Sequence, residues 1–185
     1  MTRIISGKAG SLTLTVPDAG TRPTSDRVRE SLFSALESGD LLRGARVLDL
    51  YAGSGALALE ALSRGATSAD LVEKSPRAAP VIERNIAVVR RAMPDAVARA
   101  HRLSADQFLR GASGSFDLVF IDPPYDLDAD ALATTLALLV PHLAPGATVI
   151  TERAKRSGAP VLPPGLTATR DKNYGDTTLW WVRPV

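Results

Sequence analysis

No cysteine occurs in the 185 residues, and histidine stands only at 101 and 142. Disulfides and thiolate metal sites are therefore excluded, and a histidine-based zinc site has too few ligands. The expectation is a protein without a metal, in a reducing compartment such as the cytoplasm. No apolar run approaches the roughly 20 residues needed to span a bilayer, and Met1-Thr2-Arg3 leads into no signal-peptide core. No membrane partner is expected. Charge of one sign is lacking too, since the net charge is only +2.

What charge there is has a pattern. Residues 1–30 hold Arg3, Lys8, Arg22, Arg27 and Arg29 against Asp18, Asp26 and Glu30, a surplus equal to the whole net charge. A second basic stretch runs from Arg84 through Arg90, Arg91, Arg99 and Arg102 to Arg110, with Arg153, Lys155 and Arg156 later. Eighteen of the 22 basic residues are arginine, the side chain suited to bidentate phosphate contacts. Solvated helix faces explain such a pattern as readily as nucleic acid does.

With 45% apolar residues the chain suits one globular domain with a small appendage. Residues 3–20 show short β-type runs broken by Gly7, Gly10 and Pro17, which predicts a hairpin ahead of the main domain. Thr24-Ser25-Asp26 is a cluster of capping residues, and Val28, Leu32, Phe33 and Leu36 follow as a helical stripe ending at Gly39. From residue 46, β and α patterns alternate. Strands are expected at 47–50, 69–73, 96–103, 116–121 and 147–151, and helices at 56–63, from Ser75-Pro76 to about 91, at 105–109 and at 130–143. Residues 166–172 and 177–182 read as two strands around Tyr174-Gly175-Asp176, so an antiparallel hairpin closes the sheet. The alternation predicts a doubly wound α/β sheet.

Phe116 to Tyr125, FDLVFIDPPY, is the most telling segment. A run of bulky apolar residues reads as a strand buried on both faces, and two prolines end its ladder because neither can donate a backbone hydrogen bond. A carboxylate (Asp122), a carbonyl (Pro123) and a ring (Tyr125) thus gather at the C-terminal end of a strand, where open α/β sheets bind ligands. Such a group suits a planar amine, with two acceptors for its N–H bonds and a ring for its π face. A strand-ending turn, with Asp122 as a cap and Tyr125 as packing, is the plain alternative.

Asp49 to Gly55, DLYAGSG, is the second. Gly53 and Gly55 let the backbone turn and approach a ligand at the next helix. With Ala58 they also fit a dinucleotide fingerprint, and Glu73 lies where a ribose-binding acid belongs. An NAD enzyme is therefore a candidate. Asp49 opposes it, because a carboxylate ahead of the loop repels a pyrophosphate but suits a sulfonium carrying an α-amino group. Asp106, after the third strand, is placed to accept from an adenine amine. Three acids at successive strand ends fit S-adenosylmethionine better than NAD, whereas taken singly each reads as a cap or, for Glu73, a surface pair with Lys74.

These residues resemble class I S-adenosylmethionine-dependent methyltransferases acting on exocyclic amines. RIISG (3–7), RPTSDRVRE (22–30), LDLYAGSGALALEALSRGA (48–66) and YGDT (174–177) narrow the resemblance to the RsmD type. It implies a Rossmann-like, mostly parallel seven-stranded sheet whose last strand is antiparallel, preceded by a small N-terminal hairpin and helix. Residues 1–24 would form the hairpin extension and 25–185 the methyltransferase domain. The implied activity is transfer of methyl from S-adenosylmethionine to guanine N2 in bacterial 16S rRNA, within a small-subunit particle. Asp122, Pro123 and Tyr125 would be catalytic. Asp49, Ala52, Gly53, Ser54, Gly55, Glu73, Lys74, Ala105, Asp106 and Asp122 would bind the cofactor. Arg3, Lys8, Arg22, Thr24, Arg27 and Arg29 would meet RNA, with the hydroxyls of Thr24 and Ser25 toward the methionine carboxylate. An adenine-N6 or cytosine-N4 methyltransferase of DNA is the rival enzyme, although 185 residues leave little room for a recognition domain. A non-catalytic RNA-binding module is the rival of another class.

Overall fold

The computed structural model describes residues 1–17 and 25–185; Arg22 and Thr24 lie outside them. In chain order the elements are β1 (Thr2–Arg3), β2 (Thr13–Leu14), α1 (Asp26–Ser38), β3 (Arg46–Leu50), α2 (Ala56–Ser63), β4 (Ser68–Val72), α3 (Ala79–Ala92), β5 (Val97–His101), α4 (Ala105–Gly111), β6 (Phe116–Ile121), α5 (Ala129–Leu139), β7 (Leu143–Ala154), β8 (Leu166–Tyr174) and β9 (Thr177–Pro184). β1 and β2 pair antiparallel on their own. The other seven strands form one sheet in the order β5-β4-β3-β6-β7-β9-β8. β9 is antiparallel to both its neighbours, and the β5-β4-β3-β6-β7 ladders are parallel. The sheet expected from the sequence is the one observed.

The strands alternate between two apolar layers, as a sheet covered on both faces requires. Val47, Leu71, Leu118 and Phe120 pack with α1, α2 and α3 on one face. Leu48, Leu50, Val119 and Ile121 pack with α4 and α5 on the other. Ile4, Ala9 and Leu14 are buried in the first layer, so residues 1–17 share the main core.

Buried polar groups fasten that segment. Glu60 of α2 is fully buried, and its carboxylate accepts from the amides of Ile5 (2.7 Å) and Ser6 (3.0 Å) and from Nε of Arg64 (2.8 Å). Gly7, at φ +88°, lies so close to Ser63 that a Cβ would meet that residue's carbonyl oxygen at 2.1 Å. Asn85 of α3 accepts from the amide of Thr15 (2.9 Å) and donates to the carbonyls of Thr15 and Ser54 (both 2.8 Å).

Three boundaries differ most from expectation, two of them because of proline. α3 begins at Ala79 rather than at Ser75-Pro76. The Ser75 hydroxyl holds residues 76–78 in a turn, and Pro80 brings no N–H for the Pro76 carbonyl, so the ladder resumes only when Ile82 donates to Ala78. α5 stops at Leu139 because Pro141 turns the next residues into a single 3-10 turn. β7 runs over twelve residues instead of five, and a register shift opposite Phe116–Leu118 accommodates the excess.

Replacing Glu60 by Ala strands two amides in the core and leaves buried Arg64 with only its ion pair to half-exposed Glu37 (3.1 Å). The expected loss is about 3–5 kcal/mol of unfolding free energy, measured in urea, as for breaking a buried ion pair from one side.

Candidate active site

Register decides what meets at the sheet's C-terminal edge. Leu50 is opposite both Val72 and Ile121. The next residue of each strand, Tyr51, Glu73 and Asp122, therefore falls in one row. That row opens on a cavity of about 480 Å³, within the usual size range of small-molecule sites. Asp49, Ala52, Gly53, Ser54, Glu73, Lys74, Asp122, Pro123 and Tyr125, all predicted from the sequence, line it.

Asp49 lies on the face that packs against α2, and it is 1% exposed. Its Oδ2 accepts from the amide of Ala58 at 3.2 Å, in the first turn of α2. The N-cap residue Gly55 has no side chain for that task, so Asp49 caps the helix from the neighbouring strand. Its Oδ1 is buried without a partner. Burial pushes the carboxyl up to about 7; the Ala58 amide opposes this and the Glu73 charge adds to it. A buried acceptor facing a cavity is what a cationic ligand group would complete.

Glu73 spends one oxygen on the amide of Gly53 (3.1 Å) and the other on that of Ser75 (2.8 Å). Its carboxylate is thereby fixed at the cavity wall. Among the described residues it forms no ion pair with Lys74. Gly53 has φ +57° and open space where a Cβ would sit, which leaves the backbone free for a ligand's close approach. Gly55 differs: at φ +79° its Cβ would meet Leu71 Cδ2 at 2.7 Å, so packing demands glycine there.

Asp122 and Pro123 are half-buried beyond β6, and Tyr125 is 57% exposed at the rim. A second cavity of about 580 Å³ shares Tyr125 and is otherwise lined by Ala154, Lys155, Arg156 and Asp176. The ring thus stands between the two hollows, one acidic at its floor and one basic at its wall.

Other predicted residues are placed elsewhere. Ala105 is buried in the α4–α5 layer, and Asp106 accepts from Thr135 Oγ1 at 2.7 Å; neither lines the cavity. Arg3, Lys8 and Arg27 are exposed. Ser25 Oγ accepts from the Val28 amide (3.3 Å), which makes it the N-cap of α1. Arg29, expected at an RNA phosphate, is 1% exposed and stands in the cavity wall.

Several cavity residues escaped sequence reasoning, Thr2 and Tyr51 among them. Thr2 gave no signal. Tyr51 gave one, as the first residue beyond a strand whose neighbours end in acids. It has φ +64°, rare for a tyrosine, and its hydroxyl lies 3.3 Å from Thr135 Oγ1. Among the described residues, no helix is long and apolar enough to cross a membrane, and no cluster of acids and histidines is arranged for a metal ion.

Residues 2–183 match the family described as conserved hypothetical protein 95. The Escherichia coli protein named ribosomal RNA small subunit methyltransferase D is 37% identical over 94% of this chain and 85% of its own. The solved yhhF structure from Escherichia coli superposes with a TM-score of 0.85 at 35% identity, covering 99% of this chain and 97% of that one. A hypothetical protein of Thermus gives a TM-score of 0.81 at 32% identity over 98% of both. The chain therefore belongs to the conserved hypothetical protein 95 family, that of the RsmD-type methyltransferases.

Proposed function

We propose that this protein transfers a methyl group from S-adenosylmethionine to N2 of a guanine in 16S rRNA, within a small-subunit ribosomal particle in the cytoplasm. The observation that carries this reading is that the Asp122-Pro123-Tyr125 group and the Asp49/Glu73 pair open onto one cavity. Small-subunit rRNA as the substrate is supported by the name of the Escherichia coli relative. Guanine N2 rests on the family resemblance, since an amine-holding group serves adenine and cytosine too.

The residues fit the cofactor. Asp49 Oδ1 is an acceptor awaiting a cation, Glu73 is fixed where ribose hydroxyls can donate to it, and the wall at Gly53 is bare. When bound, S-adenosylmethionine supplies an electrophilic methyl group on a sulfonium centre.

The chain's own part is positioning. An exocyclic guanine amine is a poor nucleophile because its lone pair is delocalised into the ring. The Asp122 carboxylate and the Pro123 carbonyl each accept one of its N–H bonds, which turns the lone pair toward the donor and favours a more tetrahedral nitrogen. Tyr125, exposed at the rim, stacks on the base and offsets the cost of drawing it from its own stack. Lys155 and Arg156, across that ring, are placed for the backbone phosphates beside the target nucleotide.

Incubation with labelled S-adenosylmethionine and small subunits, free 16S rRNA or DNA, followed by nucleoside analysis, tests the reading. N2-methylguanine in the small subunit is expected; N6-methyladenine in DNA would overturn it. Asp122→Ala should cut methyl transfer by more than about a hundredfold while S-adenosylhomocysteine binding, measured calorimetrically, survives. Charge reversal at Lys155 and Arg156 together should raise KM for the RNA and flatten its salt dependence, with cofactor affinity unchanged. Because the Asp49 carboxyl sits at about 7 and only its ionised form attracts an ammonium, S-adenosylhomocysteine should bind roughly tenfold more weakly at pH 6 than at pH 8. Asp49→Asn should abolish that dependence.

A further inference from the structure

Two buried groups of opposite charge line the cavity and do not pair with each other. Arg29 is the more unusual. Its guanidinium is anchored by Nη2, which donates to the carbonyl of Arg3 (2.6 Å) and to Oδ1 of Asp26 (2.8 Å). Nε and Nη1 are buried, and among the described residues they have no partner. Asp26, its ion-pair partner, is itself about half exposed, so it neutralises the buried cation only in part. Three N–H donors of a permanent cation are thus left without acceptors in the wall of a ligand site.

Asp49 is the converse, a buried carboxylate with one oxygen engaged and the other without a partner. Among the described residues no ion pair joins it to Arg29. A ligand bearing only a cation leaves Arg29 uncompensated, and one bearing only an anion leaves Asp49 so. A phosphate additionally meets the Asp49 charge. The chemistry that satisfies both is a zwitterion, and an α-amino acid head is the smallest common one.

We infer that Arg29 binds the α-carboxylate of the methyl donor's amino-acid end, while Asp49 takes its ammonium. This rests on the reading of the cavity as the S-adenosylmethionine site. It moves Arg29 from RNA contact to cofactor contact, and it gives the first turn of α1 a ligand role that Thr24 and Ser25 were expected to fill. The contact of Nη2 with the Arg3 carbonyl ties β1 to the same guanidinium, so the N-terminal strand backs the subsite.

The test uses three ligands and calorimetry, with no turnover involved. S-adenosylhomocysteine has both charges, its decarboxylated analogue keeps only the amine, and 5′-methylthioadenosine lacks both. Wild-type protein should prefer S-adenosylhomocysteine over the decarboxylated analogue by tenfold or more. Arg29→Met should lose that preference and leave affinity for the other two within about twofold. Arg29→Lys, which keeps charge but not the planar donor set, should retain part of it, and serves if the methionine variant is unstable. Equal binding of the first two ligands by wild type would overturn the proposal, as would an Arg29→Met loss spread evenly over all three. If wild type binds none of them, the donor reading itself falls. That result is distinct from binding without carboxylate preference.

Discussion

The hydrogen-bond ladders joining β3 to β4 and to β6 set the positions on which the site depends. A parallel ladder fixes which residues stand side by side, and a slip of one residue would turn each side chain to the opposite face. With Leu50 opposite Val72 and Ile121, Glu73 and Asp122 flank Tyr51 at the edge. The same pairing sends Asp49 toward α2 and Leu50 toward α5. Shifted by one, an apolar residue would face the ligand and a carboxylate would lie among Leu132 and Leu136. The apolar layers on both faces forbid that, so the packing of the core and the placing of the acids are a single requirement.

Much of this was legible in the sequence. Apolar runs closed by Gly or Pro located β3, β6, α2 and the terminal hairpin, because backbone chemistry at those closures admits few alternatives. The hidden part was what one residue's neighbours do to it. Pro80 displaced the start of α3 although Ser75-Pro76 is a good local start, since the second proline removes a donor that the first cannot replace. Asp106 has the spacing of a ligand residue, and nothing in the sequence signals that one of its oxygens accepts from Thr135 Oγ1. Arg29 follows Arg27 in a segment that reads as solvated, and only the helix phase turns one outward and the other into the wall. Charge spacing along a chain carries no record of burial.

Electrostatics in the cavity are arranged with little slack. Asp49 divides its two oxygens between the fold and the hollow, so the residue that starts α2 also sets the charge seen by a ligand. Tyr51 accepts an unfavourable backbone conformation beside it, at a cost of order 1 kcal/mol. Local strain of this kind persists where the surroundings over-determine a residue, as the ladders and the Thr135 contact do here.

Asn85 links parts of the chain that are far apart in sequence. One amide group holds the backbone of Thr15 on both its polar atoms and the carbonyl of Ser54 beside the glycine turn. Thr15 and the loop that would carry the cofactor therefore share one side chain of α3. Fraying of the first segment takes bonds away from the amide that also holds the second. In hydrogen exchange, the two would open as one cooperative unit, and tightening of the loop by a ligand would be felt some forty residues earlier.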